Sequence, residues 1–599
     1  MCGIIGYNGN KKAKDAIILG LKNLEYRGYD SAGICLIEND KIDIYKSVGR
    51  IKNLEEKLSN KDLNSNIGIG HTRWATHGIP NEDNAHPHRH GNVTLVHNGI
   101  IENYNELKEI LKNENVEFYS NTDTEVACAY INYLYEKTND KLKSIVDACK
   151  IFRGSYAFSI IYDDDKDTLY AARKDSPLVI GLGSNENFIT SDISAILNYT
   201  NKYILLDNMQ FAKVSKEDVV VYDSNLENVE YTINTADFKQ TEYQKGEFDH
   251  FMLKEIYEQP KVITDIFKKY ISSRQDVLNN FDFSKYNNID IVACGSAMHA
   301  GLVGKYFLEN IANVKTNVEI ASEYRYKKHI YTQNTLVIVI SQSGETADTL
   351  AALRLAKENN VFVLGIVNTY GSAIARESDA CIYTCAGCEI AVATTKGYTT
   401  QVAALETLAI DIAKKKRINS NLLNNYTTYE DIIQKVISNR ELYLEVAKKI
   451  YDKNNMFFIG RGIDWAITME GSLKLKEISY IHSESYAAGE LKHGTISLIE
   501  DGIPVIAIAT DEKLIEKTIS NIKEVKARGA YTIFITTEKF KNIQTDDFSD
   551  VTIYLPETDI LLTPIITVIA LQLISYEVAK LKGCDIDKPK NLAKSVTVE

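Results

Sequence analysis

Two patterns of hydrophobic positions divide the chain near residue 240. Before that point, short β-type runs such as 93–96 and 158–162 are separated by glycine-rich turns. After it, apolar runs of strand length such as 336–340 and 361–367 alternate with long helical segments. Short buried strands that alternate with helices are typical of parallel sheets. The second part of the chain is therefore predicted to be a parallel α/β fold wrapped by helices.

That second part contains an internal repeat. Gly295 follows a strand-like run in the first copy, and Gly460 follows an equivalent run in the second. The strand before Ser341 likewise matches the strand before Ala509. Matches in the same order at nearly one spacing predict a duplicated α/β domain. After the matched strand the first copy reads Ser-Gln-Ser-Gly-Glu-Thr and the second reads Ala-Thr-Asp-Glu, so we expect only the first to bind a phosphate there.

Composition narrows the class of protein. The 599 residues carry 68 basic and 81 acidic side chains, and a net charge of −13 argues against a protein that mainly binds nucleic acid or anionic membranes. Nine widely spaced cysteines do not resemble a disulfide framework, and the first residues lack the pattern of a secretion signal. The longest uncharged apolar stretch, 560–576, contains Pro564 and polar residues, so it is predicted to be a buried core helix. We therefore expect a cytoplasmic protein.

Cys2 is the first candidate for chemistry. Removal of Met1 would give Cys2 a free α-amine, which can act as the base for its own thiol. Taken alone, Met-Cys more often marks only an early apolar residue, but the residues that follow favour a nucleophile. A carboxylate clamp, two oxyanion donors and an ammonium partner come later in the chain, in the order Arg73, Asn98, Gly99 and Asp123.

Six motifs in this part of the chain resemble class II glutamine amidotransferases, whose nucleophile is the N-terminal residue. They are CGIIG, YRGYDSAG, HTRWATHG, NAHPH, HNGIIEN and TDTE. The resemblance implies an α-β-β-α glutaminase domain, with Cys2 as nucleophile and with Asn98 and Gly99 as the oxyanion hole. The residues it implies around glutamine are Arg73, Thr76, His77 and Asp123, with Trp74 as the gate for ammonia.

Two groups of residues invite a metal interpretation that their spacing does not favour. His86, His88 and His90 alternate, but no second ligand group accompanies them. Cys385 and Cys388 form a lone CxxC pair. A structural role is favoured for both groups. No nucleotide or flavin motif is present either, so we expect no metal and no cofactor.

The second part of the chain offers a phosphate cradle. The strand that ends near residue 340 leads into Ser341, Gln342, Ser343 and Thr346, and a helix is predicted to begin near Ala347. Hydroxyls and backbone N–H groups at a helix start can hold a phosphate. The same residues would also serve as an ordinary helix cap.

Acid–base candidates follow on a later helical segment. Glu470, Lys474 and Glu477 share one helix face. This spacing is typical of a surface ion-pair ladder, or of a general base, Glu477, whose pKa is tuned by Lys474. His493 lies in a glycine-flanked loop and could move a proton, whereas the tail 591–599 would by default be frayed.

Four further motifs resemble the paired sugar-isomerase domains of amidotransferases that aminate a sugar phosphate: ISQSGETADT, ATTKGYTTQ, GSLKLKEISYIHSESYAAGELKHG and NLAKSVTVE. The resemblance implies L-glutamine and fructose 6-phosphate as substrates and a homodimer as the assembly. It implies Glu477 as isomerase base, His493 as a ring-opening catalyst donated across the dimer interface, and Lys594 as the imine-forming lysine. The implied sugar-phosphate contacts are Gly295, Ser296, Ser341, Gln342, Ser343, Thr346, Val392, Thr394, Lys474 and Ala593.

Two positions depart from the pattern of that family. The chain reads Ser296-Ala297 where members often read Thr-Ser, and it has Thr394 where they often have Ser. Ser296 and Thr394 keep a hydroxyl, so their implied roles are retained. A side-chain contact cannot be carried over to Ala297.

These observations predict the domain order. The expected segments are a glutaminase domain at 1–220, a connecting segment at 221–279 with a linker near 241–248, doubly wound sugar-isomerase domains at 280–420 and 449–590, and an active-site tail at 591–599. One alternative is a class II amidotransferase with another acceptor, but the ATP-pyrophosphatase or pyrophosphate-binding loop it would need is not found after residue 240. The other is a non-catalytic sugar-phosphate sensor, which would have no use for the catalytic residues of both parts.

Overall fold

A computed structural model describes residues 2–39, 41–74, 78–236, 244–272, 277–418 and 426–597. The chain divides into two compact units, Met1–Gln244 with Ala593–Glu599, and Lys245–Leu592. The predicted linker at 241–248 lies only partly within the described residues.

The first unit is built from antiparallel strands and five helices within its described part. Along the chain these are β1 (Gly3–Asn8), α1 (Ala13–Leu24), β2 (Ser31–Glu38), β3 (Lys41–Val48), α2 (Ile51–Leu58), β4 (Ile67–Arg73), β5 (His88–His90), β6 (Val93–Ile101), α3 (Tyr104–Asn113), α4 (Asp123–Thr138), α5 (Lys141–Ile151), β7 (Gly154–Tyr162), β8 (Asp165–Lys174), β9 (Val179–Leu182), β10 (Asn187–Thr190), β11 (Lys202–Leu205), β12 (Gln210–Val214), β13 (Val219–Tyr222) and β14 (Ile233–Thr235). They form an eight-stranded sheet, β14-β11-β9-β10-β1-β4-β2-β3, and a six-stranded sheet, β13-β12-β8-β7-β6-β5.

The two sheets pack face to face between helices. Because successive side chains of a strand point to opposite faces, Ile4 of β1 packs between the sheets with Val96 and Ile161, while Ile5 packs outward against α1. Helices α4 and α5 cover the outer face of the second sheet. This arrangement confirms the expected α-β-β-α architecture.

The second unit is built from parallel strands and helices. Its elements are α6 (Phe251–Phe267), α7 (Val277–Asn280), β15 (Asn288–Ala293), α8 (Gly295–Asn310), β16 (Lys315–Ile320), α9 (Ala321–Tyr324), β17 (Thr335–Ser341), α10 (Ala347–Glu358), β18 (Phe362–Val367), α11 (Ala373–Glu377), β19 (Ala380–Tyr383), α12 (Lys396–Lys415), α13 (Tyr429–Ser438), α14 (Arg440–Ile450), β20 (Asn455–Gly460), α15 (Ile463–Ser479), β21 (His482–Ala487), β22 (Pro504–Ile508), α16 (Ile515–Lys526), β23 (Tyr531–Thr537), β24 (Val551–Leu555) and α17 (Leu562–Leu581).

Both sheets of this unit have the same topology. The strand orders are β16-β15-β17-β18-β19 and β21-β20-β22-β23-β24, and every pairing is parallel. The predicted duplication of a doubly wound α/β domain is therefore confirmed. In each copy the chain order reverses beside the first strand. The crevice at the carboxyl ends of β15 and β17 is thus the place where an open α/β sheet binds ligands.

The apolar stretch near the carboxyl end is a core helix, as predicted. Helix α17 is long and apolar enough to cross a membrane by length and composition alone, but 94% of its most apolar window is buried inside the protein. Pro564 lies in its first turn, where a proline costs no helical hydrogen bond.

Helix α12 contains a carboxyl group with an unusual environment. Glu406 is fully buried, and neither of its carboxyl oxygens has a hydrogen-bond partner among the described residues. Burial, and secondarily the charge of Asp559, raise the pKa of Glu406 well above its usual value. Folding therefore favours the protonated form of Glu406.

This environment predicts a pH-dependent stability. A carboxyl whose pKa is raised by folding makes its full contribution to the free energy of unfolding below its unfolded pKa of about 4.3. That contribution falls by about 1.4 kcal/mol per pH unit as the pH rises towards the folded pKa. Glu406→Gln keeps the shape without the titration. The variant should gain thermal stability over the wild type as the pH is raised from 5 to 8, measured by melting in matched buffers. Exposed Glu430→Gln controls for the loss of one carboxylate, and a pH-independent difference would contradict the assignment.

Candidate functional site

Strand pairing places Cys2 beside the loop that follows β4. Gly3 of β1 pairs with Thr72 of β4, so the residue before Gly3 comes next to Arg73 and Trp74. The Trp74 N–H donates to Cys2 Sγ at 3.2 Å. Burial raises the pKa of the Cys2 thiol, and this is partly opposed by the Trp74 N–H and the Arg73 guanidinium. The thiol is thus held in one position by the backbone of its neighbour.

The end of β6 supplies amide groups to the same place. Asn98 Nδ2 donates to the backbone oxygen of Cys2 at 2.9 Å. Gly99 has φ +127°, and an added Cβ would lie 2.0 Å from the carbonyl oxygen of Ser155. Only glycine fits there. The side-chain amide of Asn98 therefore faces the nucleophile, next to a backbone that no other residue can adopt without strain.

Two charged groups complete the first site. The Arg73 side chain is buried, which lowers its pKa, while the charges of Cys2, Asp123 and Asp30 oppose that effect. Asp123 is the first residue of α4, is buried, and accepts the Ile101 N–H at 2.8 Å. A guanidinium beside the thiol, with a carboxylate close enough to act on that guanidinium, suits the two charged ends of a free amino acid.

Of the three other residues predicted around this site, the structure describes only Trp74. Thr76 and His77 lie outside the described residues. The Trp74 ring packs edge-on against Tyr29, with 5.8 Å between the ring centroids.

In the second unit, the predicted phosphate loop lies at the crevice beside β15 and β17. The Ser341 hydroxyl accepts the Gly344 N–H at 3.0 Å and lies 2.8 Å from the Thr346 hydroxyl, and Ser343 Oγ accepts the Glu345 N–H at 3.2 Å. Gly344 has φ +67°, and an added Cβ would lie 2.0 Å from Ser372 Oγ. The loop is a tight turn of hydroxyls at the start of α10, as the sequence predicts.

The charged face of α15 is not a surface ladder. Glu470 and Lys474 are fully buried, and the Glu477 side chain is 20% exposed. Lys474 Nζ lies 2.5 Å from a Glu477 oxygen and 3.4 Å from a Glu470 oxygen. Burial lowers the pKa of Lys474, but the attraction of Glu470 and Glu477 outweighs it and the pKa is raised. Glu477 is thus the partly accessible end of a buried chain of ion pairs.

The same face joins the two copies of the repeat. The Glu470 carboxylate accepts the Ser296 hydroxyl at 2.9 Å and lies 2.9 Å from His299 Nδ1, and both partners are on α8 of the first copy. The spacing of charges on α15 did not predict these contacts, because the partners are about 170 residues away. Ser296 therefore connects the start of α8 with Lys474 and Glu477.

Sequence reasoning also missed Glu389. Its carboxylate accepts the Thr394 hydroxyl at 2.6 Å and the N–H groups of Thr395 and Gly397 at 2.9 Å each. Gly397 lies against Gln342, because an added Cβ would be 3.1 Å from Gln342 Cγ. A carboxylate at the N-terminal end of a helix is a stabilising arrangement, and a glutamate shortly before a predicted helix is the signal that could have indicated it.

In the second copy, the loop that corresponds to the phosphate loop binds the carboxylate of Asp464. The Thr510 N–H and hydroxyl donate to Asp464 at 2.8 and 2.6 Å. Burial raises the pKa of Asp464 to about 6, against the lowering effect of the Thr510 hydrogen bonds. This contact supports the expectation that only the first copy binds a phosphate at this loop.

The remaining predicted residues lie on other segments of the chain. The Val392 N–H donates to the Asp587 carbonyl at 3.0 Å, His493 is exposed at the end of a short 3₁₀ turn, and Ala593 and Lys594 belong to the first unit. The described segments contain no group of three His, Cys, Asp or Glu side chains placed to hold a metal.

Sequence comparison extends over the whole chain. The chain is 50% identical to the glutamine–fructose-6-phosphate aminotransferase (isomerizing) of Clostridium tetani, over 100% of both chains. It is 46% identical to the enzyme of that name from Thermococcus kodakarensis, again over 100% of both chains. The chain belongs to this aminotransferase family. The two alternatives from sequence, a different amidotransferase and a non-catalytic sensor, are not supported by relatives that match from end to end.

Family models and solved structures agree with this assignment. Residues 71–198 match a glutamine amidotransferase domain, and residues 282–411 and 449–582 each match a SIS domain. The C-terminal domain of the glucosamine-fructose-6-phosphate aminotransferase from Francisella tularensis is 38% identical, with a TM-score of 0.54, and covers 57% of this chain and 99% of its own. Family membership places an amidotransferase half and a sugar-isomerase half in one enzyme.

Proposed function

We propose that this enzyme converts L-glutamine and fructose 6-phosphate into L-glutamate and glucosamine 6-phosphate. The observation that carries the proposal is the arrangement at Cys2, where a fixed thiol lies beside the Asn98 amide and near a buried arginine that also interacts with the buried Asp123. The full-length relatives bear the name of this reaction. The buried Lys474–Glu477 pair supports the isomerase half.

Glutamine is cleaved in the first unit. Arg73 binds the α-carboxylate and Asp123 the α-ammonium, and Thr76 and His77 assist. After removal of Met1, the Cys2 α-amine takes the thiol proton as sulfur attacks the side-chain amide carbon, and it passes that proton to the departing ammonia. The Asn98 side chain and the Gly99 N–H stabilise the oxyanion. Water then hydrolyses the γ-glutamyl thioester and releases glutamate.

The second unit binds the sugar, and the tail residues Ala593 and Lys594, which belong to the first unit, take part in its amination. Ser341, Gln342, Ser343 and Thr346 bind the phosphate. The further sugar contacts are Gly295, Ser296, Val392, Thr394, Lys474 and Ala593. His493 opens the ring and Lys594 forms an imine with the C2 carbonyl, which ammonia then replaces. Glu477 removes a proton from C1 and delivers it to C2, which converts the ketose imine into an amino-aldose, and Lys474 holds Glu477 in position.

Three further features belong to the same proposal. Free ammonia would be protonated and lost in bulk water, so it must reach the sugar through an enclosed route, with Trp74 as the gate. The enzyme acts as a homodimer in the cytoplasm, and each subunit donates its His493 to the other. No metal or cofactor takes part in these steps.

Incubation with glutamine and fructose 6-phosphate tests the reaction directly. Mass detection should show glucosamine 6-phosphate and glutamate in equal amounts. Omission of either substrate is the control. Glutamate release without any amino sugar would support the proposed glutamine cleavage and contradict the proposed amination of the sugar.

A further inference from the structure

The histidine group of the first unit has no role in the steps above. His71, His86, His88 and His97 are all buried, and His90 is partly so. Burial is the first cause that lowers the pKa of His71, His86 and His88, so these three rings are neutral at physiological pH. Neutral buried imidazoles can fix the direction of neighbouring dipoles, because each has one donor and one acceptor nitrogen.

His71 lies directly behind the amide of Asn98. Its Nε2 is 3.0 Å from the carbonyl oxygen of His97 and 3.1 Å from Asn98 Oδ1. Both of these oxygens can only accept a hydrogen bond. Nε2 must therefore carry the proton, and His71 Nδ1, which has no hydrogen-bond partner among the described residues, is left unprotonated.

The orientation of the Asn98 amide is fixed from both ends. The other end of the amide is 2.9 Å from the carbonyl oxygen of Cys2, which is also an acceptor, so that end must be the NH₂ group. A flipped amide would place its oxygen against the Cys2 carbonyl and its NH₂ against the donor of His71. Both contacts would be repulsive. The His71 Nε2–H removes the flipped alternative before any substrate binds.

The protonation state of His71 is secured by its surroundings. Burial lowers its pKa to about 3, and the nearby Arg73 charge lowers it further, against the hydrogen bonds to Asn98 and His97 that raise it. The His86 ring stacks on His71, with 4.1 Å between centroids and 24° between planes, and holds it in place. One tautomer of one neutral ring thus faces Asn98 across the working pH range.

We infer that His71 is a positioning residue of the glutaminase, which holds the Asn98 amide with its NH₂ group towards the oxyanion formed at Cys2. This inference rests on the proposed function of Cys2 and Asn98. It requires no contact between His71 and glutamine. Its signature is therefore a loss in turnover with little change in glutamine binding.

Two isosteric variants provide the test. The side-chain nitrogen of Gln can occupy the place of His Nε2, whereas that of Asn falls near Nδ1. His71→Asn should lower the glutaminase kcat by about 10- to 100-fold, up to the range of one lost oxyanion donor, with a KM for glutamine within about threefold of the wild type. His71→Gln should recover most of the kcat. Equal kcat values for the two variants would overturn the inference.

A double-mutant cycle separates this role from a general loss of structure. If His71 acts through Asn98, the losses in Asn98→Ala and in His71→Asn will not add in the double variant. Additive losses would contradict the inference. The rate of Cys2 alkylation by iodoacetamide and the melting temperature report whether the site is still folded. The proposed function fails separately, if Cys2→Ala still hydrolyses glutamine.

Discussion

Replacement of Cys2 by alanine is expected to abolish glutamate release from glutamine while fructose and glucose 6-phosphates still interconvert slowly. Alanine removes the sulfur that forms the thioester. The amide of Asn98 and the charges of Arg73 and Asp123 remain and cannot attack carbon. The loss of glutaminase turnover should be on the order of 10⁴-fold or more, the scale of nucleophile removal in other hydrolases. Coupled assays of glutamate and of glucose 6-phosphate measure both activities on one preparation.

A matched control makes the result specific. Cys584 is another partly exposed free thiol, and Cys584→Ala should leave glutamine hydrolysis unchanged. Intact-protein mass spectrometry checks that Met1 is removed from all variants, because a blocked Cys2 amine would give a similar loss. If Cys2→Ala released glutamate at the wild-type rate, the assignment of the nucleophile would be wrong.

Replacement of Glu477 by glutamine is expected to reduce sugar isomerisation by about 10²- to 10⁴-fold, the usual contribution of a general base. Glutamine keeps the length of the side chain and an oxygen for Lys474, so the buried contact with Lys474 at the end of α15 can persist. What is lost is the ability to take a proton from carbon. The measurement is the conversion of fructose 6-phosphate to glucose 6-phosphate without glutamine, together with glucosamine 6-phosphate formation in the full reaction.

Helix α15 supplies the control for that experiment. Lys476 is exposed and points away from the Lys474 cluster, so Lys476→Gln should isomerise the sugar at the wild-type rate. Glutamine hydrolysis at Cys2 tests whether the Glu477 variant is folded. A Glu477→Gln enzyme with at least a tenth of the normal isomerase rate would exclude Glu477 as the base.

The strands and helices could be predicted because each leaves a pattern of apolar and polar residues within its own stretch of sequence. The run before Ser341 is apolar at every position, as expected of a parallel strand buried on both faces, and the helix after it begins at Ala347. Motifs that lie within a few residues of each other, such as the Ser341–Thr346 loop, could likewise be placed on the correct element. Their boundaries agree because hydrogen bonds between near neighbours decide them.

Contacts between distant segments could not be predicted in this way. The carboxylate of Glu470 is held by Ser296 and His299, and Asn98 is held by His71 across two sheets. A single sequence shows which side chains can donate or accept but not which of them meet. The interpretation of the α15 charges as a surface ion-pair ladder was wrong because the same spacing of charges occurs on surface helices and on buried helices.

The contact between Ser296 and Glu470 makes the two copies of the repeat depend on each other. Glu470 is completely removed from water, and its partners outside α15 come from the other copy of the repeat. Without the first copy, this buried acid would lose both of those partners, at a cost of several kcal/mol. The copy that contains α15 is therefore not expected to keep its buried charges in place when it is produced alone.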